Sequence, residues 1–520
     1  MRISFTTGGI IIRVMKKPGR SIAAQGRAYM EDQMAGVIFQ AFEWFMDLEN
    51  DLWNRLKADA PNLKAKGFDA VWLPPPFKST SPFDTGYGVY DLYDLGEFDQ
   101  KGSLKTKYGT KDELLACIST LHGEGIRVYA DVVLNHKANG DEKEKFMVLE
   151  MDPSNRTRAI SEPFEIEAWT RFTFPGRGDK YSKFKWSWIH FTGTDFNAAD
   201  GKRGIYMIQG ENKGWAQGVT YEKGNFDYLM FNDIDYKHPD VVTEIRNWAR
   251  WFVNETNVDG FRFDAVKHIN DFFMRDLIRM IRGEYREDFY AVGEYWDQRY
   301  SQVDEYMENT DYEMDLLDVR LHFNFHEASV SSENYDMRKI FDGTLVKNNK
   351  VMAVTFVDNH DSQPGQSLES WVEPWFKPLA YALILLRQDG YPVVFYGDYY
   401  GIAGEHPQDG HQEIIDQLLF LRKHYARGAQ HDYFDHENVV GWVRLGDEEH
   451  PHGMVCLMSD GYGGEKQMNV GDSNKEAVYI DYTGNIEEKI TIDDQGNGLF
   501  KCNDGSMSIW IREDSMEDYS

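Results

Sequence analysis

The chain has 520 residues and a formal net charge of −30. That length can bury a large core and predicts two or three domains. That charge repels phosphate, which argues against nucleic acid and anionic membrane surfaces as partners and suits an enzyme acting on a neutral substrate.

Residues 1–35 carry Arg2, Arg13, Lys16, Lys17 and Arg20 around a short Gly-Ile-Ile-Ile patch. Arg13 breaks the patch and no small-residue cleavage site follows, so the segment reads as a disordered leader. Cys117, Cys456 and Cys502 are too few and odd in number for a disulfide framework, which predicts reduced thiols in a cytoplasmic protein. A secreted or periplasmic location is the alternative, should the first residues be an atypical signal. No apolar run approaches a membrane span.

Ordered structure is expected from Gly36, where an apolar run ends at Glu43-Trp44. Leu56, Ala60 and Leu63 recur on one face of a helix over 53–65, and Gly67 stops it. Asp69-Ala-Val-Trp-Leu73 is a buried strand, 111–123 a helix, and 127–136 a third strand. Strand and helix in alternation predict a parallel sheet. Residues 137–237 interrupt it with turns and aromatics and without long helical periodicity, which predicts an irregular β-rich insert. The alternation resumes with a helix over 241–254, a strand over 260–264, a helix over 269–281, and strands at 289–294, 315–319, 351–357 and 392–397. Helices over 375–387 and 412–425 complete it. Eight strand–helix units predict a (β/α)8 TIM barrel, built from 36–136 and 238–426. Short alternating strands from 427 to 520, separated by Gly and Asn-Gly turns, predict a C-terminal antiparallel β-sandwich.

The stretch Gly260-Phe-Arg-Phe-Asp264 organises the chemistry. Arg262 and Asp264 are two apart and share one face of a strand, while Phe261 and Phe263 face covering helices. An arginine and an aspartate buried on one face are expected to pair, which favours the charged form of Asp264. In a barrel, polar residues at C-terminal strand ends are the candidates for catalysis. Those ends supply Asp131, Asn135 and His136; Arg262, Asp264, Lys267 and His268; Glu294; and Asp358, Asn359, His360 and Asp361. Carboxyls converging on one mouth repel, so at least one should hold its proton. A protonated Glu beside an ionised Asp is the pair that glycoside hydrolysis needs. Trp44, Tyr87, Tyr90, Trp186 and Trp188 stand in loops where rings could stack on a sugar.

Four blocks, Asp131-Val-Val-Leu-Asn-His136, Gly260 to His268, Val292-Gly-Glu-Tyr-Trp296 and Phe356-Val-Asp-Asn-His-Asp361, resemble in order the signature regions of the α-amylase family of glycoside hydrolases. Phe174-Pro-Gly-Arg-Gly, Tyr228-Leu-Met, Asp235-Tyr and Phe376-Lys-Pro-Leu-Ala-Tyr-Ala resemble the bacterial liquefying-type and cytoplasmic members. The resemblance implies retaining endo-hydrolysis of α-1,4-glucosidic bonds in starch, glycogen or maltooligosaccharides. Asp264 would be the nucleophile, Glu294 the general acid/base, with the two carboxyls ~5 Å apart, and Asp361 the third carboxylate. Tyr87, His136, Arg262, Lys267, His268 and His360 would bind substrate. Asn135, Asp227, Asp233 and the His268 carbonyl would hold calcium, all through oxygen as a hard cation requires. Where liquefying members place further acids for a multi-cation cluster, this chain has Thr192, Ala216 and Lys237, so one Ca2+ site is expected; the chain is separately expected to be a monomer. The alternatives are a maltooligosaccharide-forming exo-amylase or transglycosylase of the same family. From another class comes a non-catalytic glucan-binding barrel, which the retention of all three acids disfavours.

Overall fold

Eight short strands close on one another in parallel. The structure, a computed structural model describing residues 36–46 and 51–516, has them at Ile38–Gln40 (β1), Ala70–Leu73 (β2), Arg127–Val132 (β3), Gly260–Phe263 (β4), Tyr290–Gly293 (β5), Asp315–Leu317 (β6), Ala353–Phe356 (β7) and Tyr391–Phe395 (β8). They pair in chain order and β8 closes onto β1. The expected leader, 1–35, lies outside the described residues. Around the barrel run Leu52–Lys66 (α1), Lys111–Gly123 (α2), Pro239–Thr256 (α3), Asp271–Glu284 (α4), Tyr300–Asn309 (α5), Val319–Ser331 (α6), Lys377–Leu385 (α7) and Gln412–His424 (α8). Local chemistry sets several ends. Gly67 closes α1 at φ 101°, a left-handed position that glycine adopts without a Cβ clash. Thr110 and Glu113 bond each other's backbone N–H in a capping box at the start of α2.

β4 behaves as its alternation predicts. Phe261 turns outward onto Trp248 and Phe252 of α3, with ring centroids 6.1 and 5.7 Å away. Arg262 turns inward and is fully buried. The parallel register sets Arg262 beside Asp131 of β3 and Val292 of β5.

The expected extent of β3 needs correction. The strand ends at Val132, and His136 instead opens the insert's sheet, opposite Asp233. The apolar run Val132-Val-Leu134 hides this change of partner, because all three are buried. The Tyr236 hydroxyl donates to the Leu134 carbonyl at 2.6 Å, so the backbone there is already bonded to the insert side. The insert itself is a six-stranded sheet whose longest members, Glu142–Glu150 and Phe164–Arg171, form an antiparallel pair.

Beyond α8, six antiparallel strands form one sheet, and Gly464–Asn469 with Asn497–Cys502 form the facing ribbon. Val443, Val455, Leu457, Met468, Phe500 and Trp510 fill the space between them. The alternate residues Val440, Trp442, Met454, Cys456 and Met458 join the core continuous with the barrel. Both faces of Val439–Arg444 and Met454–Ser459 are therefore apolar, which is why those strands lack a polar alternation. Cys117, Cys456 and Cys502 are all buried and free.

Candidate active site

Asp264 and Glu294 are the first residues past β4 and β5, Asp131 lies on β3, and Asp361 sits in the loop after β7. One guanidinium binds three of these acids. Arg262 Nη1 donates to Asp131 Oδ1 at 2.9 Å and to Asp264 Oδ1 at 2.8 Å, and Nη2 donates to Glu294 Oε2 at 3.3 Å. Asp131 also accepts Trp72 Nε1 at 3.0 Å and the Tyr87 hydroxyl at 2.9 Å. Ala265 adopts φ 50°, a left-handed position uncommon outside glycine, and its N–H donates to Glu294 Oε2 at 2.8 Å. Three carboxyls around one cation leave negative charge in a dry site. Burial pushes Glu294 up to about 8, against the pull of Arg262 and with the help of Asp264 and Asp361. Burial likewise lifts Asp361 to about 7 and Asp131 to about 6, each eased by Arg262.

Asp264, Glu294 and Asp361 open into a cleft of about 1040 Å³ also lined by Trp44, Tyr87, His136, Lys267, His268 and Trp296, among others, while Asp131 lies beneath it. The Tyr87 ring stacks on Trp44 at 5.7 Å and on His360 at 5.0 Å. Two of the expected substrate contacts lie deeper than the sequence suggests. Arg262 is beneath the acids and outside the lining, since its charge is spent on three carboxylates. His360 is fully buried behind Tyr87, with the Gln40 amide nitrogen 2.9 Å from Nδ1. Its Nε2 makes no hydrogen bond and lies 3.4 Å from Asp361 Oδ2. Burial, reinforced by Arg262, holds its pKa well down and the ring neutral. His136 lines the cleft, but its Nε2 is committed to the Tyr87 carbonyl at 2.8 Å. His268 Nδ1 donates to the Phe226 carbonyl at 2.6 Å, and burial pushes its pKa down to about 3. Lys267 Nζ joins Glu222 of the insert at 3.0 Å to the Trp296 carbonyl at 2.9 Å.

Of the five candidate sugar platforms, Trp44 and Tyr87 reach the cleft. Tyr90 and Trp186 are buried in the core, and Trp188 stacks on Phe146 within the insert at 5.6 Å. Phe83, Phe226, Phe231, Trp296 and Phe323, none of them a candidate from sequence, also line the cleft. Only Trp296 had a signal, its place two residues after Glu294.

The catalytic-domain model of alpha amylase matches residues 58–440. The chain belongs to the α-amylase family. It is 49% identical over 484 residues to an α-amylase of Bacillus licheniformis, covering 92% of this chain and 93% of that one. It is 49% identical over 480 residues to a glucan 1,4-alpha-maltohexaosidase of Bacillus sp. strain 707, covering 92% of each. It is 42% identical over 490 residues to a cytoplasmic α-amylase of Escherichia coli K12, covering 92% and 99%. Among solved structures, an α-amylase of Geobacillus thermoleovorans complexed with acarbose matches with a TM-score of 0.62 at 18% identity, over 93% of this chain and 99% of that one. That is a likeness of fold.

Two of the expected calcium ligands, Asp227 and Asp233, come together. Asp227 and Asp233 are fully buried and in hydrogen-bond contact with each other. The Thr192 hydroxyl donates to Asp233, and the Ala216 N–H donates to Asp227 at 2.8 Å. Burial raises both acids, Asp227 to about 6 and Asp233 well above the usual range. Among the described residues neither forms an ion pair, and Asn135 Oδ1 is a buried acceptor with no donor. Abutting buried carboxyls, an orphaned amide oxygen and an all-oxygen donor set suit a hard divalent cation. A different trio, His190, His238 and Asp240, brings possible ligand atoms within 4.8 Å of one another. There the Nδ1 of each histidine accepts a backbone N–H, from Ser187 at 2.9 Å and from Asp240 at 3.3 Å. The ring proton of the neutral imidazole then sits on Nε2, which leaves no lone pair for a metal.

Proposed function

We propose that the chain is a retaining, endo-acting α-1,4-glucan hydrolase. One observation carries this reading: Arg262 holds Asp264 at 2.8 Å, while burial lifts Glu294, next along the barrel rim, to about 8. Near neutral pH the rim then offers a proton donor beside a guanidinium-paired carboxylate, the division of labour that retaining glycosidases use. Glu294 gives its proton to the glycosidic oxygen as that oxygen's bond to the anomeric carbon breaks. Asp264 bonds the anomeric carbon from the opposite face. Glu294, now ionised, takes a proton from water, which displaces Asp264 and restores the α configuration. Asp361 holds sugar hydroxyls during ring distortion, with His360 Nε2 beside it. Tyr87 and Trp44 offer ring faces to the sugar. Lys267 and His268 lie on the leaving-group side.

Asn135, Asp227, Asp233 and the His268 carbonyl would hold one calcium, which when bound neutralises buried acid where the insert meets the barrel. The case for a single ion is that Thr192, Ala216 and Lys237 stand where further metal would need acids. Lys213 Nζ bonds Asp235 at 2.9 Å and the Phe191 carbonyl at 2.9 Å, and Lys237 Nζ bonds the Gly214 carbonyl. The domain limits we favour are 36–135 with 238–426 for the barrel, 136–237 for the insert and 427–520 for the sandwich. A cytoplasmic location fits the three buried free thiols and the relative named cytoplasmic, and a monomer is the state we favour. Among the described residues no helix is long and apolar enough to cross a membrane.

The test is the product time course on starch and on a blocked maltooligosaccharide, for the wild type and Glu294→Gln. A rapid fall in starch viscosity with short α-anomeric products, lost in the variant, is expected. The relative named maltohexaosidase favours a second reading, release of one fixed-length product. That reading predicts a single early oligosaccharide with little loss of viscosity. No cleavage by the wild type would overturn both.

A further inference from the structure

A lysine stands fully buried at the unfavourable end of a helix. Lys377 is the first residue of α7, where a cation meets the positive end of the helix dipole. Its Nζ lies 2.7 Å from Asp358 Oδ2, bonds Asp398 Oδ1, and sits 3.1 Å from the centroid of the Trp371 ring. The Tyr381 hydroxyl donates to the other oxygen of Asp398 at 2.7 Å. Desolvation offsets most of the Coulomb gain in such a network, so net stability is a poor reason to keep it.

Its location supplies a better one. Asp358 ends the β7 rim three residues before Asp361, and Asp398 follows β8, so one ammonium ties two adjacent strand ends. From Asp358 the bonding runs straight to the third acid. Asp358 Oδ1 accepts the Ser362 hydroxyl at 2.8 Å, and Ser362 Oγ accepts the Asn359 N–H at 3.0 Å. Asn359 Oδ1 then accepts the N–H groups of Asp361 and Ser362, both at 2.9 Å. Asp358 Oδ2 also takes the Val372 N–H at 3.1 Å, which pins the segment leading into α7. The turn presenting Asp361 to the cleft is thus clamped from behind.

We infer that Lys377 is a positioning residue: acting through Asp358, Ser362 and Asn359, it fixes the Asp361 carboxyl at the cleft wall. The inference rests on the proposed role of Asp361 in glucan hydrolysis. Lys377 lies outside the cleft lining, so it acts on the sugar only through that turn.

A double-mutant cycle tests it. Lys377→Met and Ser362→Ala are each made alone and with Asp361→Asn. kcat and KM on a blocked maltooligosaccharide are measured per folded molecule, well below the unfolding temperature. Misplacing a catalytic group should lower kcat roughly 10- to 100-fold in each single variant. KM should change less than about threefold, because ground-state binding is spared. In the Asp361→Asn background neither change should lower kcat further, because the group being positioned is gone. Lys377→Arg, which keeps a cation, should recover part of the loss. Ser362→Ala strands no buried charge, so it carries the test if Lys377→Met does not fold. Losses that multiply in the Asp361→Asn background, or an unchanged kcat in the singles, would assign the network to folding alone and overturn the inference. Wild-type activity in Asp361→Asn by itself would instead overturn the proposed role of that acid.

Discussion

The barrel mouth and the insert junction both bury carboxyls, and they compensate the charge in opposite ways. At the mouth the countercharge is built in: Arg262 projects from inside β4 and bonds Asp131, Asp264 and Glu294. At the junction Asp227 and Asp233 abut each other, and among the described residues neither forms an ion pair; the nearest help is the charge of Lys237 acting on Asp227. A cation fixed by strand register is permanent, whereas one drawn from solution is conditional. With the proposed calcium at the junction, the chemistry would be insulated from metal supply and the seating of the insert would depend on it.

The sharpest way to break this contrast is to remove the built-in cation. Arg262→Leu strands three buried acids, and deleting one partner of a buried ionic network costs about 3–5 kcal/mol. Urea unfolding should show that loss, activity should vanish with it, and added calcium should restore neither. A variant as stable as wild type, or one rescued by calcium, would show that the mouth does not depend on its arginine.

The next test concerns the proton that the mouth retains. Glu294 is lifted from 4.5 to about 8, with burial the largest cause. Its working form as an acid is protonated, so kcat/KM should hold at neutral pH and fall as pH rises through about 8. Asp361, at about 7, titrates in the same cluster, so the limb reports macroscopic steps of the set. The sign for stability agrees: the folded state binds this proton more tightly, so its contribution is full below 4.5 and is lost as pH rises toward 8. Glu294→Gln should lower kcat on the order of 10²- to 10⁴-fold and remove the alkaline limb. A limb that persists in the variant would move the acid elsewhere.

Much of the mouth was legible because strand period reports faces. Phe-Arg-Phe announced which side of β4 is core, and the residues just past β4 and β5 are the acids. Period does not report depth. His360 and Arg262 share the rim's sequence blocks but lie below its surface, behind Tyr87 and under the acids. The tie between Asp131 and Arg262 comes from inter-strand register, which no local pattern specifies. Tyr90 and Trp186 looked like sugar platforms because their loops are polar, and the fold of the insert covers them. α5 went unread because its buried residues, Val303, Tyr306 and Met307, are a narrow stripe in a polar run. The junction was the least legible region, since Asn135, Asp227 and Asp233 come from separate segments and only the family resemblance grouped them.

The smallest expected effect belongs to that junction, and it decides whether the contrast is real. A ligand at a hundred times its Kd stabilises the folded state by about 2.7 kcal/mol, so chelation should lower the melting temperature by a few degrees and added calcium should reverse it. Asp227→Asn should abolish the response. In chelator that variant should be at least as stable as wild type, because one of two abutting buried carboxyls is gone; at the mouth, removing Arg262 does the reverse and creates unpaired charge. Atomic emission should find one calcium per chain. A second bound ion would mean that Thr192, Ala216 and Lys237 do not exclude it. A chelator response retained in Asp227→Asn would place the cation elsewhere and leave two buried carboxyls in contact with no countercharge to explain them.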